Sequence, residues 1–391
     1  MRVSIYHSHG LKNTHSGERT VALNEFQNLL SSGICTSFHE YNPLPHSANI
    51  IRSIYGLTSS FWSFSADRFV TQTINSSKPD IIHFHGIFPY LSISSLRRAH
   101  LSGIPVVQTL HNSRWTCIEG SLYRNGHSCV KCPSARSILP GLYHGCFKGH
   151  LPSIFPFLSH KLAFHNRQIF HWVDKFIAVS QFIKDVHVQA GFPSHKIIVK
   201  PNSCDVPSTQ PPLSNRAGIV FIGRLVEAKG VSLLKYVISH LTYPITIVGD
   251  GPELSSLIAF CSANQYKHVT FTHALSHHQT LSILASSVLC LVPSICSESF
   301  SLVAVESLSL GTPVVASSLG ALSSLITDSC GGMLFSHEQP LELLQAINRL
   351  YHNPDLASKL GNSGYEYVRS SYNSSLNTSF LISIYSSLLD R

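Results

Sequence analysis

The chain has 391 residues, of which 43% are hydrophobic and only 12% are charged, and its formal net charge is +8. This length predicts two or three domains, and the apolar share is ample for their cores. The positive balance suits anionic ligands or an anionic membrane surface, but no lysine- and arginine-rich block carries interleaved aromatic residues, so we expect no nucleic-acid partner.

The sequence predicts a cytoplasmic protein. The first strand, residues 2–6, lacks the long apolar core of a signal peptide. No apolar run approaches the ~18 residues of a membrane span. The ten cysteines are not expected to form a secreted disulfide framework, because the chain is large and carries no export signal.

The first predicted elements are a buried strand at residues 2–6, a loop that ends at Gly17, and a helix over residues 18–31. A strand, a glycine-containing loop and a helix are the opening of a Rossmann-like unit. A glycine in this loop lets backbone amides approach a phosphate or a sugar. An ordinary strand-to-helix loop is the alternative interpretation.

A later predicted strand, residues 104–112, has His111 at its end. In open α/β sheets, ligands bind outside the carboxyl ends of the strands. His111 is therefore the candidate functional residue of the first domain. The competing interpretation, a neutral histidine at a strand end, applies to most of the 24 histidines. His83 and His85, on the preceding strand, are compatible with either a core or a cleft position.

A loop-rich insert at about residues 112–150 contains four cysteines. Cys117, Cys129, Cys132 and Cys146 have the spacing Cys-x11-Cys-x2-Cys-x13-Cys. Such a set can hold a structural zinc ion through four thiolates. Free thiols or a disulfide pair are equally compatible with it.

A basic and aromatic stretch, residues 147–172, follows the insert. It indicates either a peripheral contact with the inner face of the membrane or a helix that packs on the sheet, and the second interpretation is the simpler. Residues 201–216 contain several prolines and predict a stiff linker. We place the boundary between the first domain, residues 1–200, and the second at this linker.

After the linker the alternation of strand and helix begins again. The predicted strand at residues 218–222 precedes Arg224 and Lys229. Two cations at a helix start oppose the helix dipole unless an anion binds there, which indicates a phosphate site. The next strand ends at Gly249, in a Gly-Asp-Gly-Pro turn without the third glycine of a dinucleotide fingerprint.

Two glutamates punctuate the most informative stretch, residues 293–317. Glu298 follows a buried strand, and Glu306 lies eight positions on, within a helix predicted over residues 301–310. Eight helical residues rise about 12 Å. The helix could therefore offer N-terminal amides to a diphosphate, through Ser299, Phe300 and Ser301, while a glutamate at each end binds hydroxyls.

The stretch resembles the Glu-x7-Glu motif of glycosyltransferase family 4, retaining enzymes with the GT-B fold. The matching parts are residues 223–229, 249–252 and 298–313, in the family's order and spacing. The resemblance implies an α/β fold with two Rossmann-like domains facing across a cleft. The donor domain would comprise residues 217–370, and the terminal helix, residues 371–391, would pack back on the first domain.

The resemblance also implies roles for the candidate residues. Arg224 and Lys229 would hold the donor diphosphate, Glu298 the donor sugar and Glu306 the ribose. Gly249 would belong to the family's turn in the donor domain. His111 would face the donor sugar and the acceptor. The family often has two glycines where this chain has one, Gly17.

We therefore predict a retaining glycosyltransferase that moves a sugar from a nucleotide-sugar donor to a glycan or lipid-linked acceptor in cell-surface polysaccharide biosynthesis. No cofactor is expected to be required for catalysis, because two cations and a helix N-terminus can stabilise the leaving group. Two alternatives remain: a GT-B sugar-nucleotide epimerase or isomerase, and a non-catalytic nucleotide-sugar sensor.

Overall fold

The structure is a computed structural model that describes residues 1–8, 17–43, 49–211 and 216–390. Most of the predicted loop before Gly17 and residues 212–215 of the predicted linker lie outside the described residues. The chain divides into two compact units. Unit 1 comprises Met1–Leu122, Cys129–Ser203 and Ser375–Arg391, and unit 2 comprises Tyr123–Ser128 and Cys204–Ser374.

The sheet of unit 1 is parallel throughout and has the strand order β2-β1-β3-β4-β7-β8. β1, β3 and β4 are short and, apart from the first residue of β1, buried along their whole length, as expected for strands covered on both faces. The strands of the first half of the chain are β1 (Arg2–Ser8), β2 (Cys35–Tyr41), β3 (Ile81–Phe84), β4 (Val106–Leu110), β5 (Tyr123–Arg124), β6 (His127–Ser128), β7 (Lys175–Ala178) and β8 (Ile197–Val199).

The helices of the first half connect these strands in the alternating manner that the sequence predicts. Ser63 and Ser180 accept hydrogen bonds from backbone amides in the first turns of the helices that follow them. These helices are α1 (Gly17–Ser31), α2 (Asn49–Phe61), α3 (Phe64–Ser77), α4 (Ser92–Leu101), α5 (Lys131–Ser134), α6 (Leu139–Tyr143), α7 (His150–Phe164), α8 (Ile169–Trp172) and α9 (Gln181–Gln189).

Unit 2 is built on a second parallel sheet with the order β11-β10-β9-β12-β13-β14. Its strands are β9 (Ile219–Ile222), β10 (Ile245–Val248), β11 (Val269–His273), β12 (Leu289–Val292), β13 (Val314–Ser317) and β14 (Gly332–Phe335). Its helices are α10 (Val231–His240), α11 (Leu254–Ala263), α12 (His277–Ser286), α13 (Leu302–Ser309), α14 (Ala321–Ser329), α15 (Pro340–Tyr351) and α16 (Pro354–Ser371). The two parallel sheets with flanking helices confirm the predicted α/β class.

The last helix, α17 (Ser374–Leu389), packs within unit 1. Leu381, Ile384, Tyr385 and Leu388 join the buried core that lies against β1, β3, β4 and β7. Burial of one such side chain contributes about 1.5–3 kcal/mol, so this apolar face is sufficient to hold the helix on the sheet. None of the helices in the described part of the chain has the length and apolar character needed to cross a membrane.

The insert is divided between the two units. The hairpin β5–β6 groups with unit 2, whereas sequence analysis assigns the whole insert to the first domain. Tyr123 packs against the hydrophobic core of unit 2, and the Ser128 hydroxyl lies 3.1 Å from that of Ser297. Strands of two residues carry no periodicity from which this packing could be predicted.

Candidate functional site

The sheet of unit 2 has a point where the direction of strand addition reverses. β9 is its first strand, the chain then adds β10 and β11 on one side, and β12 returns to the other side of β9. Loops that follow β9 and β12 therefore diverge and leave a crevice at the carboxyl edge of the sheet, the usual place for a ligand. Lys229 lies in the first of these loops and Glu298 in the second.

Lys229 and Glu298 form an ion pair at this crevice. The Lys229 Nζ donates to Glu298 Oε1 at 2.5 Å, and the Ser294 hydroxyl donates to the same oxygen at 2.5 Å. Burial raises the pKa of Glu298, but Lys229 and Ser294 outweigh it and hold that pKa below its ordinary value. Burial lowers the pKa of Lys229, but the contribution of Glu298 in the opposite direction outweighs burial, so the pKa of Lys229 is raised. Both groups are therefore charged at neutral pH.

Two glycines allow the loops around this pair to touch. Gly230 has φ 80°, and a Cβ there would lie 1.8 Å from the carbonyl oxygen of Pro293. Gly320 has φ 59°, and its Cβ would lie 2.5 Å from the carbonyl oxygen of Glu298. The backbone carbonyl of Glu298 also accepts a hydrogen bond from the Ala321 backbone amide at 2.8 Å. Backbone contact on both sides therefore fixes the position of the Glu298 loop.

Arg224 and Gly249 lie on neighbouring loops at the same edge. A Cβ at Gly249 would lie 2.0 Å from the carbonyl oxygen of Gly223, so this turn also requires glycine. The Leu225 amide donates to the Asp250 carbonyl at 2.9 Å, which joins the two loops. Arg224 is exposed, and its guanidinium has no hydrogen-bond or ion-pair partner among the residues the structure describes. It is thus available to an anion.

The helix after Glu298 is one residue shorter at each end than predicted. α13 begins at Leu302, because Ser301 has φ 70° and is outside the helical region. Ser299 and Ser301 are half-buried, and the Phe300 ring is buried edge-on against Tyr372 with ring centroids 5.7 Å apart. Only the backbone of Phe300 is therefore suited to a ligand contact.

Glu306 has a partner of its own on α13. Its Oε1 lies 3.0 Å from His277 Nε2, at the start of α12. This hydrogen bond raises the pKa of His277, which is the largely exposed member of the pair. The Glu306 side chain keeps 20% of its surface exposed. The two glutamates therefore have different partners, Lys229 for Glu298 and His277 for Glu306.

Unit 1 has the same kind of reversal, between β1 and β3. A small pocket of about 40 Å³ lies at this edge and is lined by His111, the predicted residue after β4. Gly17 opens α1 and precedes Glu18, which also lines the pocket. The Asn112 side-chain amide donates to Glu18 Oε1 at 2.5 Å. Burial lowers the pKa of His111 well below its ordinary value, so this imidazole is neutral.

The sequence identified His111 as the candidate in this pocket and left His85 open between a core and a cleft residue, but it did not identify Glu18. His85 follows β3 directly, and a Cβ at the neighbouring Gly86 would lie 2.9 Å from Glu18 Oε2. Their positions after β1 and β3, the strands that flank the reversal, are the signal that could have identified them.

The four cysteines of the insert lie near one another without forming a metal site. Burial, together with the nearby thiols of Cys117, Cys146 and Cys129, raises the pKa of Cys132 to about 12. In the described part of the chain, no three of these sulfur atoms lie within 4.8 Å of one another. Thiolates that share one zinc ion lie about 3.8 Å apart, given zinc–sulfur bonds of about 2.3 Å. The arrangement therefore does not fit the zinc ion that the spacing allows.

Comparison with known proteins identifies both halves of the chain. Residues 35–207 match the family model described as Glycosyltransferase Family 4, and residues 209–367 match the model described as Glycosyl transferases group 1. The uncharacterized glycosyltransferase MJ1178 of Methanocaldococcus jannaschii is 24% identical over 332 residues, covering 85% of this chain and 82% of that protein. TuaC of Bacillus subtilis, named for teichuronic acid biosynthesis, is 30% identical over 172 residues, covering 44% of this chain and 42% of TuaC.

Solved structures agree with the fold. The crystal structure of Anabaena HepE in complex with UDP-glucose superposes with a TM-score of 0.67 at 16% identity, covering 98% of this chain and 99% of HepE. The two family models together span most of the chain, and the matched proteins bear glycosyltransferase names. The chain therefore belongs to glycosyltransferase family 4 and is a glycosyltransferase of the GT-B fold.

Proposed function

We propose that this glycosyltransferase moves a sugar from a nucleoside diphosphate sugar to a glycan or lipid-linked acceptor, with retention of configuration, in cell-surface polysaccharide biosynthesis. The Lys229–Glu298 pair carries the proposal, because it puts a cation and a carboxylate at one crevice of unit 2. The UDP-glucose complex of HepE and the teichuronic acid name of TuaC support the donor and product classes.

The donor side follows from the charges of unit 2. Exposed Arg224 and half-buried Lys229 offer two cations to the diphosphate, on which negative charge grows as the sugar departs. The backbone amides of Ser299 and Ser301 precede α13, where the helix dipole favours an anion. Glu298 accepts hydrogen bonds from sugar hydroxyls, and Glu306 accepts them from the ribose.

The acceptor side follows from unit 1. Neutral His111 forms a hydrogen bond with an acceptor hydroxyl in the pocket after β4. The hydroxyl oxygen forms the new bond to the sugar carbon as the bond to the diphosphate breaks. The departing phosphate takes the hydroxyl proton, because a diphosphate oxygen gains negative charge in that step.

A first experiment tests the donor side. Thermal shifts with UDP-, GDP- and ADP-sugars identify the donor, and product NMR gives the anomeric configuration. Arg224→Ala and Lys229→Ala should each lower turnover about 100-fold or more, as loss of one preorganised group does.

The matched control is Lys235→Ala. This half-buried lysine of α10 lies 5.9 Å from the Phe260 ring centroid and donates only to the Ser256 hydroxyl, at 3.1 Å, among the described residues. Wild-type turnover in the Arg224 and Lys229 variants would contradict the donor site. Conversion of the donor to another nucleotide sugar in the absence of an acceptor would show that the protein is an epimerase or isomerase and not a transferase.

A lipid-linked acceptor is supported by an exposed apolar surface on α2 and α7, which pack together in unit 1. Leu151 and Leu158 of α7 expose 77% and 43% of their surface, and Ile51 of α2 exposes 61%. Lys148 precedes α7 and Lys161 lies in its last turn, each 5.9 Å from a phenylalanine ring centroid. Apolar side chains beside cations suit an anionic membrane surface.

Vesicle sedimentation tests this surface. The protein should bind vesicles that contain phosphatidylglycerol more tightly than vesicles of phosphatidylcholine alone. The double variant Leu151→Ser and Leu158→Ser should lose that binding. The control Leu341→Ser, at a leucine of unit 2 whose exposed fraction of 65% lies between those two, should keep it. Equal binding of all variants, or no preference for the anionic vesicles, would refute the membrane contact.

A further inference from the structure

A cluster of buried polar side chains lies behind the pocket of unit 1, and the proposed function does not use it. Glu25 of α1, His85 after β3 and Lys200 after β8 expose 4%, 2% and 1% of their surface. Burial of charged groups is costly unless they are paired, so the arrangement of this cluster requires an explanation.

The charges in the cluster balance. The Lys200 ammonium donates to Glu25 Oε1 at 2.7 Å and to Asn377 Oδ1 at 2.8 Å. Burial raises the pKa of Glu25, but Lys200, followed by His85 and His83, holds that pKa well below its ordinary value. One carboxylate and one ammonium leave no uncompensated charge. A proton added to His85 would introduce one, so His85 carries a single ring proton.

The position of that proton follows from the neighbours of His85. Its Nε2 lies 3.4 Å from Glu25 Oε2, and neither atom has a hydrogen-bond partner among the described residues. If Nε2 carried no proton, two buried acceptors, His85 Nε2 and Glu25 Oε2, would face each other. The proton is therefore on Nε2, facing the carboxylate, and His85 Nδ1 is a bare acceptor.

The same logic extends to His111. His85 Nδ1 lies 2.9 Å from His111 Nε2. Because His85 Nδ1 can only accept, His111 Nε2 must carry the proton and donate it. His111 is also neutral, so its second nitrogen, Nδ1, is bare. That nitrogen has no hydrogen-bond partner in the described part of the chain, and His111 lines the pocket.

A metal ion is the competing explanation, because Glu25, His83 and His85 offer ligand atoms within 4.8 Å of one another. However, the Lys200 ammonium already occupies Glu25. His83 is also engaged at both ring nitrogens, with the Tyr385 hydroxyl at 2.7 Å and the Thr109 hydroxyl at 2.8 Å. A cation that already occupies the carboxylate opposes a second one, so we assign no metal here.

We propose that Glu25 and His85 are positioning residues that fix His111 in the tautomer with a bare Nδ1, so that His111 can only accept a hydrogen bond from a hydroxyl of the acceptor. We name this chain of contacts the tautomer relay, Glu25–His85–His111. The inference rests on the proposed function, because the acceptor hydroxyl is the ligand. It adds that His111 orients the hydroxyl and does not carry its proton.

The first test is the tautomer itself, read by NMR of the full-length protein with ¹⁵N-labelled histidine. The wild type should show His111 protonated at Nε2. In Glu25→Gln, Lys200 still requires an acceptor, so the Gln carbonyl faces Lys200 and its NH₂ group faces His85. His85 then accepts at Nε2 and donates at Nδ1, and the proton of His111 should move to Nδ1. An unchanged His111 tautomer in a folded Glu25→Gln protein would overturn the relay.

The second test remains available if Glu25→Gln does not fold. In His85→Gln, the side-chain amide can donate to Glu25 and accept from His111, whereas His85→Leu can do neither. We expect His85→Leu to lower kcat about 10- to 100-fold with an unchanged KM for the donor, and His85→Gln to restore most of it. Equal losses in both variants would assign His85 a merely structural role and overturn the proposal.

Failure of the relay and failure of the proposed function are distinguishable. If the wild type binds no nucleotide sugar, the proposed function fails, but the NMR measurement still tests the tautomer. If the wild type transfers sugar while His111 is protonated at Nδ1, the function stands and the relay is wrong. Stoichiometric metal in the purified protein that is lost in Glu25→Gln would also overturn the relay.

Discussion

The ion pair between Lys229 and Glu298 should determine how the stability of unit 2 depends on pH. Lys229→Met keeps most of the apolar stem of the side chain and removes the ammonium group. Glu298 then retains only the hydrogen bond from Ser294 among its side-chain partners. The Glu298 side chain is 10% exposed, so water cannot replace the lost cation fully.

The magnitude follows from the burial of the two groups. Removal of one partner from a fully buried pair costs about 3–5 kcal/mol, and a hydrogen bond to a charged group contributes about 1.5–3 kcal/mol. The Lys229 side chain is 35% exposed, so solvent screens the pair and the lower range applies. We expect a loss of about 2 kcal/mol at pH 7, or about 4–8 °C in Tm for a folding unit of this size.

The sign of the pH effect differs between the two proteins. In the wild type, the folded-state pKa of Glu298 is below its ordinary value. The stability that this carboxylate contributes is therefore complete above its unfolded-state pKa and is lost as the pH falls through the folded-state pKa. In Lys229→Met, burial is no longer offset, so the folded-state pKa rises and protonation at low pH relieves the unpaired charge. The difference between the two proteins should therefore shrink as the pH falls through the folded-state pKa of Glu298 in Lys229→Met, which lies above the ordinary value of about 4.3 for glutamate. It should continue to shrink down to the folded-state pKa of the wild type.

Scanning calorimetry from pH 8 to pH 4 measures this difference. Glu298→Gln and the double variant complete a mutant cycle that isolates the coupling between the two residues. Lys235→Met is the control for the loss of an ammonium that has no carboxylate partner among the described residues. A stability loss that stays constant across the pH range, or a coupling near zero, would refute the reasoning.

Three further predictions follow from the structure. Glu298→Gln should mainly lower kcat, because the sugar that Glu298 binds changes charge during transfer. Glu306→Gln should mainly raise the donor KM and weaken the binding of free nucleoside diphosphate in calorimetry, because the ribose does not change. The reverse pattern would exchange the two roles. Gly230→Ala should lower the free energy of unfolding by more than the ~1–2 kcal/mol that an alanine with positive φ costs, as measured by thermal unfolding. The control Gly103→Ala, where φ is 73° and no atom lies within 4 Å of the added Cβ, should cost only that amount. Equal losses would show that the contact with Pro293 is unimportant. Incubation with EDTA should leave Tm unchanged, because the sulfur atoms of the four cysteines in the insert lie too far apart to share one ion. Release of one zinc ion per chain with a fall in Tm would instead support the zinc site that the cysteine pattern in the sequence allows.

Local patterns in the sequence were sufficient to predict the fold. Short apolar runs between helical segments predict parallel strands, and Ser276 with Gln279 predicts a capping box at the start of α12, which the structure contains. Such signals lie within a few residues of the element that they define. The α/β class depends on them, whereas the GT-B fold and the glycosyltransferase assignment depend on the family resemblance of residues 223–229, 249–252 and 298–313. All three are confirmed.

Pairings across the sheet could not be predicted in the same way. Lys229 and Glu298 are 69 residues apart, and Glu25 and Lys200 are 175 apart. Their contact depends on which strands are neighbours, which a single sequence does not state. The cysteine spacing shows the complementary limit, because residues that are close in sequence did not converge closely enough for a metal ion.

The two strand reversals of this protein hold charge in opposite ways, and the difference matches the chemistry proposed for each unit. At the β9/β12 reversal, Arg224 is exposed and the Lys229–Glu298 pair is partly open to solvent, so a diphosphate can replace water around two cations. At the β1/β3 reversal, the charges of Glu25 and Lys200 are buried and cancel each other. Only their effect on the tautomer of His111 would reach the pocket. An anionic leaving group requires accessible positive charge, whereas a neutral hydroxyl requires a correctly oriented acceptor without net charge.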